Sequence, residues 1–208
     1  MISYSQIIDI SRPVDEGMVL YPGDEGVGFE KKKDGEWHYA VLHFTTHTGT
    51  HVDSPTHVRD EGRTVDRIKL GKLVGPCRVL DMTHVDDEID VMDLEVLDIK
   101  KGERLLFKTK NSSRGYKEFY PDYVHLNDDG ARYLAQKEVA LIGADYLSIE
   151  KYHKDAVSTH RILLDAEIAL VESLNLSKVE VGNYGLVVLP LRLVGLDGAP
   201  ARAILLKD

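Results

Sequence analysis

Short apolar segments recur along this 208-residue chain with turn-forming residues between them. They occupy residues 7–10, 37–44, 78–82, 104–108, 139–143, 168–172, 184–189 and 201–206. Their length and β-branched content predict strands. Helical patterns are fewer. Asn127, followed by Asp128 and Asp129, supplies an N-cap and an acidic first turn for a helix running to about Gln136. Shorter helical turns are expected within 60–69, 93–97 and 159–164. Strands alternating with short helices predict an α/β fold, a single domain with a mixed β-sheet and few helices. No internal repeat, low-complexity tract or linker divides the chain, and a 43% hydrophobic content supports one sizeable core.

Two polar stretches interrupt the pattern. Lys31-Lys32-Lys33, followed by Asp34-Gly35, reads as the solvated tip of a hairpin. Residues 108–121 (KTKNSSRGYKEFYP) are polar, basic and aromatic together, which reads as a mobile surface loop. Loops of this size often form lids or subunit contacts, so this one is a candidate wall of a site.

A third stretch carries chemistry. Residues 47–57 read HTGTHVDSPTH, and five of the chain's nine histidines (His38, His43, His47, His51, His57) fall within twenty residues. Imidazole is the commonest metal-binding side chain, and Asp53 is its natural hard partner. The spacing of His47 and His51 would put both on one helix face, but the β-branched threonines, Gly49 and Pro55 disfavour a helix. A strand reading places His47, Gly49, His51, Asp53, Pro55 and His57 on one parity. A straight strand, however, separates the His47 and His51 Cα atoms by roughly 13 Å. The chain must bend between them, and Gly49 is where it can. A divalent metal site follows, with a hydrogen-bonded polar strand edge as the plainer alternative.

Charge and cysteine content narrow the partners. A formal net charge of −9 argues against nucleic acid and anionic membranes. The one cysteine, Cys77, excludes an intramolecular disulfide and reads as a small core residue. No secretory signal is visible, and no apolar run approaches membrane-spanning length. A soluble, cytoplasmic protein acting on a small molecule is expected.

HTGTHVDSPTH also resembles the H-x-G-T-H-x-D-x-P-x-H signature of the cyclase family of metal-dependent hydrolases, which includes kynurenine formamidases and isatin hydrolases. Further stretches extend the likeness: DISRPVDEGMVLYPGD (9–24), LIGADYLSIE (141–150), HRILL (160–164), VESLNL (171–176) and VLPLRLVGLDGAPARAILL (188–206). The resemblance implies the swivelling β/β/α fold and a homodimer or homotetramer. It implies that His47 and His51 hold one metal ion, that Asp53 and Glu172 bridge two, and that His160 binds the other. It makes His57 the proton donor and acceptor. Without it, Glu172 would read as a surface carboxylate at a strand end and His160 as an ordinary helix-start residue. Kynurenine formamidases carry a tryptophan before Pro-Gly-Asp, to stack on an aromatic substrate. Here Tyr21 stands in its place, an aromatic face with a polar tip.

These residues predict hydrolysis of a C–N bond in a small amide or formamide, of the N-formylkynurenine type. Two Zn²⁺ ions, or Mn²⁺, would lower the pKa of a bound water and polarise the carbonyl under attack. Two such ions with Asp53, Glu172 and one hydroxide would leave a net positive centre for the developing oxyanion. Cyclase or cyclic imide and lactone chemistry at the same metals is the alternative. A metal-binding protein without turnover is the reading from another class, and His57 argues against it, because a purely structural site gains nothing from a free base.

Overall fold

The computed structural model describes residues 4–152 and 157–207. Twelve strands are seen among them. β1 (Gln6–Asp9), β2 (Gly28–Asp34), β3 (Trp37–His43) and β4 (His51–Asp53) come first, then β5 (Val74–Met82), β6 (Glu88–Ile89), β7 (Arg104–Thr109) and β8 (His125–Leu126). β9 (Leu141–Ala144), β10 (Ala169–Glu172), β11 (Gly182–Pro190) and β12 (Gly198–Lys207) complete the set. The helices are α1 (Leu70–Leu73), α2 (Val91–Glu95), α3 (Asn111–Arg114), α4 (Asp128–Gln136) and α5 (Thr159–Asp165). Each of the eight apolar segments lies in or overlaps a strand. Asn127 caps α4 as expected, accepting from the Gly130 amide at 2.8 Å.

Eight strands form one mixed sheet in the order β1-β12-β11-β5-β7-β9-β10-β4. β5, β7, β9 and β10 run parallel, and the other pairings are antiparallel. β4 pairs with β10 on one side and β12 on the other, which closes the sheet into a barrel-like form. Strand alternation then sorts side chains into two cores. Leu106, Leu141, Val171 and Val52 point inside the barrel with Ile10, Val79, Val188 and Leu205. Leu105, Phe107, Ile142 and Leu170 face outward, under α2, α4 and α5. Cys77 is buried in the inner core, where burial pushes its thiol up to about 12.

The structure differs from three expectations. The segment 47–57 is not one strand: the strand covers His51–Asp53, His47 sits in the preceding turn, and His57 ends a 3-10 turn, Pro55–His57. Pro55 at the start of that turn favours it over continued extension. Lys31–Lys33 lie within β2, and the reversal falls at Gly35 (φ 57°) and Glu36 instead. The stretch 108–121 contains α3 and is anchored, not loose. The buried Asp145 carboxylate accepts from Thr109 N and Oγ1, both at 2.8 Å, and from Ser112 Oγ at 2.6 Å.

Candidate metal centre

The site forms on the outer face of the sheet, where β10, β4 and β12 meet. Register accounts for it. In β10–β4 pairing, Glu172 lies opposite His51 and Leu170 opposite Asp53. Because Val52 and Val171 point into the barrel, His51, Asp53 and Glu172 all emerge on the other face. The N-terminal turn of α5 lies over this face and brings in His160. Gly49, at φ 68°, makes the bend that returns His47 to the same point, and the rings of His47 and His51 end 5.0 Å apart. Ser173, directly after Glu172, also has a left-handed backbone (φ 58°), with its carbonyl taken by the Thr50 hydroxyl at 2.7 Å.

Three imidazoles share one arrangement: one ring nitrogen on an outer acceptor, the other turned inward to a central carboxylate. His47 has Nε2 2.7 Å from Asp197 Oδ2 and Nδ1 2.8 Å from Asp53 Oδ1. His51 donates from Nδ1 to the Gly49 carbonyl at 2.8 Å, leaving Nε2 3.3 Å from Asp53 and 3.5 Å from Glu172. His160 has Nδ1 2.6 Å from Glu150 Oε2 and Nε2 3.1 Å from Glu172 Oε1. Outer acceptors of this kind fix the tautomer of metal-bound histidines. His57 is different. It is partly exposed, its ring lies 4.1 Å from that of His47, and it lies 3.5 Å from the Asp197 carboxylate and within 4.8 Å of that of Asp53.

The electrostatics follow from these contacts. Burial pulls the His47 and His51 imidazoles down, but the carboxylates outweigh it and raise them to about 9 and about 10. His160 is likewise raised against burial, by Glu172 and Glu150. Burial raises the Glu172 carboxyl, yet His160 and His51 draw it down to about 2. Asp53 is lowered in the same way by His51 and His47. His57 alone shifts downward, through burial and the neighbouring His47 and His160 rings, and so stays neutral near pH 7.

The buried polar atoms test whether these residues suit a cation. His51 Nε2 and Asp53 Oδ2 are buried with no hydrogen-bond partner. The Nδ1 bond to a carbonyl makes His51 Nε2 a lone-pair acceptor in the neutral ring, aimed at two carboxylates. Such an arrangement is costly unless a proton or a cation lies between them. Two groups present atoms close enough to hold an ion, His51–Asp53–Glu172 and His47–Asp53–His57, and Asp53 belongs to both. Imidazole and carboxylate together are the donor set of a divalent ion. The residues fit.

A cavity of about 480 Å³ opens onto this centre, lined by Tyr21, Asp24, Leu147, Tyr152 and the histidines. Tyr21 packs edge-on against Phe119 (5.8 Å) and Tyr152 (5.7 Å), so the 108–121 stretch does back the cavity wall, through Phe119. Arg12 fastens the Tyr21 loop: its Nη2 donates to Val19 O at 3.0 Å, and its guanidinium stacks 3.7 Å above the Tyr116 ring.

Residues 8–151 match the Cyclase family model. The chain belongs to the cyclase family. Curated relatives in it include the kynurenine formamidases of Salinibacter ruber, 35% identical across 96% of both proteins, and of Bacillus cereus, 34% identical across 97% of both. A solved structure described as a potential metal-dependent hydrolase with cyclase activity superposes with a TM-score of 0.89 at 38% identity, covering 98% of each chain. Isatin hydrolase A from Ralstonia solanacearum shares the fold, with a TM-score of 0.82 at 19% identity over 98% of this chain and 92% of its own. This cyclase-family chain is a metal-dependent hydrolase, and its mixed, barrel-like sheet is that of its neighbours.

His47, His51, His57, His160, Glu172 and Tyr21 line the cavity, with Asp53 buried behind the histidines. His38 and His43 stay out on the β2–β3 hairpin. Sequence reasoning missed Glu150 and Asp197. Both lie inside stretches that carry the resemblance, SIE and LDG, but neither spacing nor composition singles them out, because each reaches its histidine only through folding. Their presence also adds two carboxylates to the charge around the histidines.

Proposed function

We propose that this chain hydrolyses the formyl C–N bond of a small arylformamide of the N-formylkynurenine type, with divalent metal bound at Asp53. The observation that carries the reading is the inward convergence of His47, His51, His160, Asp53 and Glu172 beneath an aromatic cavity, with the neutral imidazole of His57 beside them. His47, His51 and Asp53 would hold one ion, and His160, Glu172 and Asp53 a second, Zn²⁺ or Mn²⁺. When bound, such ions lower the pKa of water towards neutrality and polarise a carbonyl.

The chain's own residues supply the rest. Tyr21 and Tyr152, backed by Phe119, form an aromatic wall suited to an aryl ring, and the cavity volume lies within the usual small-ligand range. His57 takes a proton from water as it adds to the formyl carbon. It returns that proton to the nitrogen as the C–N bond breaks, so formate and an arylamine leave. An unshifted or lowered imidazole suits both directions near neutral pH. A location in the cytoplasm is proposed on the free, buried Cys77, which fits a reducing compartment.

The test is a substrate panel run on chelated protein and on protein reconstituted with Zn²⁺ or Mn²⁺. N-formylkynurenine and simple arylformamides should be turned over only after reconstitution, and faster than isatin or lactones. Preference for a cyclic imide or lactone would move the assignment to ring-opening chemistry at the same centre. Metal-independent turnover would overturn it.

A further inference from the structure

Asp197 lies outside the residues that would bind metal or carry protons, yet barrel closure delivers it to them. The β12–β4 register sets Gly198 opposite Asp53, one residue from Asp197. A Cβ on Gly198 would stand 3.0 Å from His47 Cε1 and 3.0 Å from the Val52 carbonyl. Glycine there leaves room for the His47 ring close against the strand. The backbone of Asp197 is held independently of its side chain, its carbonyl accepting from Ser54 N at 2.9 Å and Ser54 Oγ at 2.8 Å. Of its carboxylate oxygens, Oδ1 takes the Thr46 hydroxyl at 3.1 Å, which turns Oδ2 towards His47 Nε2 at 2.7 Å and His57 Nδ1 at 3.5 Å.

We propose that Asp197 is a positioning residue that orients two imidazoles of different role at once. It holds the proton of His47 on Nε2, so that the Nδ1 lone pair faces the metal position beside Asp53. It also anchors the His57 ring, stacked 4.1 Å away, at the orientation needed for proton transfer. The proposal rests on the reading of His47 as ligand and His57 as proton carrier. Outer carboxylates that orient a metal-bound histidine are typically worth about 10–100-fold in affinity or activity.

Asp197→Ala tests it, with Thr46→Val as the milder change that frees Oδ1 alone. Zinc affinity, measured by competition with a chromophoric chelator, should fall about 10–100-fold in Asp197→Ala and less in Thr46→Val. The visible spectrum of the Co²⁺-loaded protein should change, and kcat should fall with KM little altered. Unchanged zinc affinity and Co²⁺ spectrum in a folded Asp197→Ala protein would overturn the proposal. If Asp197→Ala does not fold, an unchanged Thr46→Val would do so. Asp53→Ala separates the two levels of the argument. If it binds zinc like the parent, the metal-site reading itself fails. If it loses zinc while Asp197→Ala keeps it, only the role of Asp197 fails.

Discussion

His57 differs from the imidazoles around it in what it touches. His47, His51 and His160 each pair a carboxylate or carbonyl on the outer nitrogen with a central carboxylate on the inner one, whereas His57, the most exposed of the four, lies 3.5 Å from Asp197 and within 4.8 Å of Asp53. Removing it should therefore leave the metal in place. His57→Ala is expected to keep the parent's metal content, read by plasma mass spectrometry, while kcat falls about 10²–10⁴-fold. Asp53→Ala should do the reverse and lose metal, because Asp53 joins both candidate ligand groups. A His57→Ala protein that emerges metal-free would make His57 a ligand. At this scale the sequence was informative where ligands cluster: HTGTHVDSPTH displays its chemistry within eleven residues. Glu150 and Asp197 were hidden because nothing local marks a carboxylate that meets its histidine across the fold.

At the scale of elements, alternation predicted most strands, and the positive φ of Gly49 matches the bend that the histidine spacing demanded. The parity reading of 47–57 failed because a turn and a 3-10 turn flank a strand of three residues, too short for period two to organise the whole stretch. The β2–β3 hairpin shows another limit. Among the described residues its strands pair only with each other, and Trp37 is 80% exposed, with Tyr39 and Leu42 also exposed. Isolated two-stranded ribbons are marginal in water, and aromatic patches mark contact surfaces. A second copy is thus the expected partner, in keeping with a homodimer or homotetramer. Light scattering should show an oligomer for the parent and a smaller species for Trp37→Asp. A monomeric parent would contradict it.

For the whole molecule, closure of one sheet builds the candidate metal centre. β4 is joined to β10 and β12 by backbone pairing and, at its outward face, by the charges of Asp53, Glu172 and their histidines. In the metal-free protein, protons hold that face together. The His47 and His51 pKa values, about 9 and about 10, lie above the usual 6.5. Their contribution to stability is therefore complete below pH 6.5 and is lost as pH rises through 9 to 10. Glu172, lowered to about 2 from 4.5, contributes above pH 4.5, and that part is lost as pH falls towards 2. Thermal unfolding of chelated protein should accordingly weaken between pH 6.5 and 10. No helix among the described residues is long and apolar enough to cross a membrane.

The same protons offer the most direct test. Calorimetric titration of the chelated protein with Zn²⁺ at pH 7, repeated in buffers of different ionisation enthalpy, reads ion number and proton release together. Two ions per chain should bind, displacing about three protons from His47, His51 and His160. Absence of binding, or binding without proton release that survives Asp53→Ala, would contradict a metal centre built on these residues.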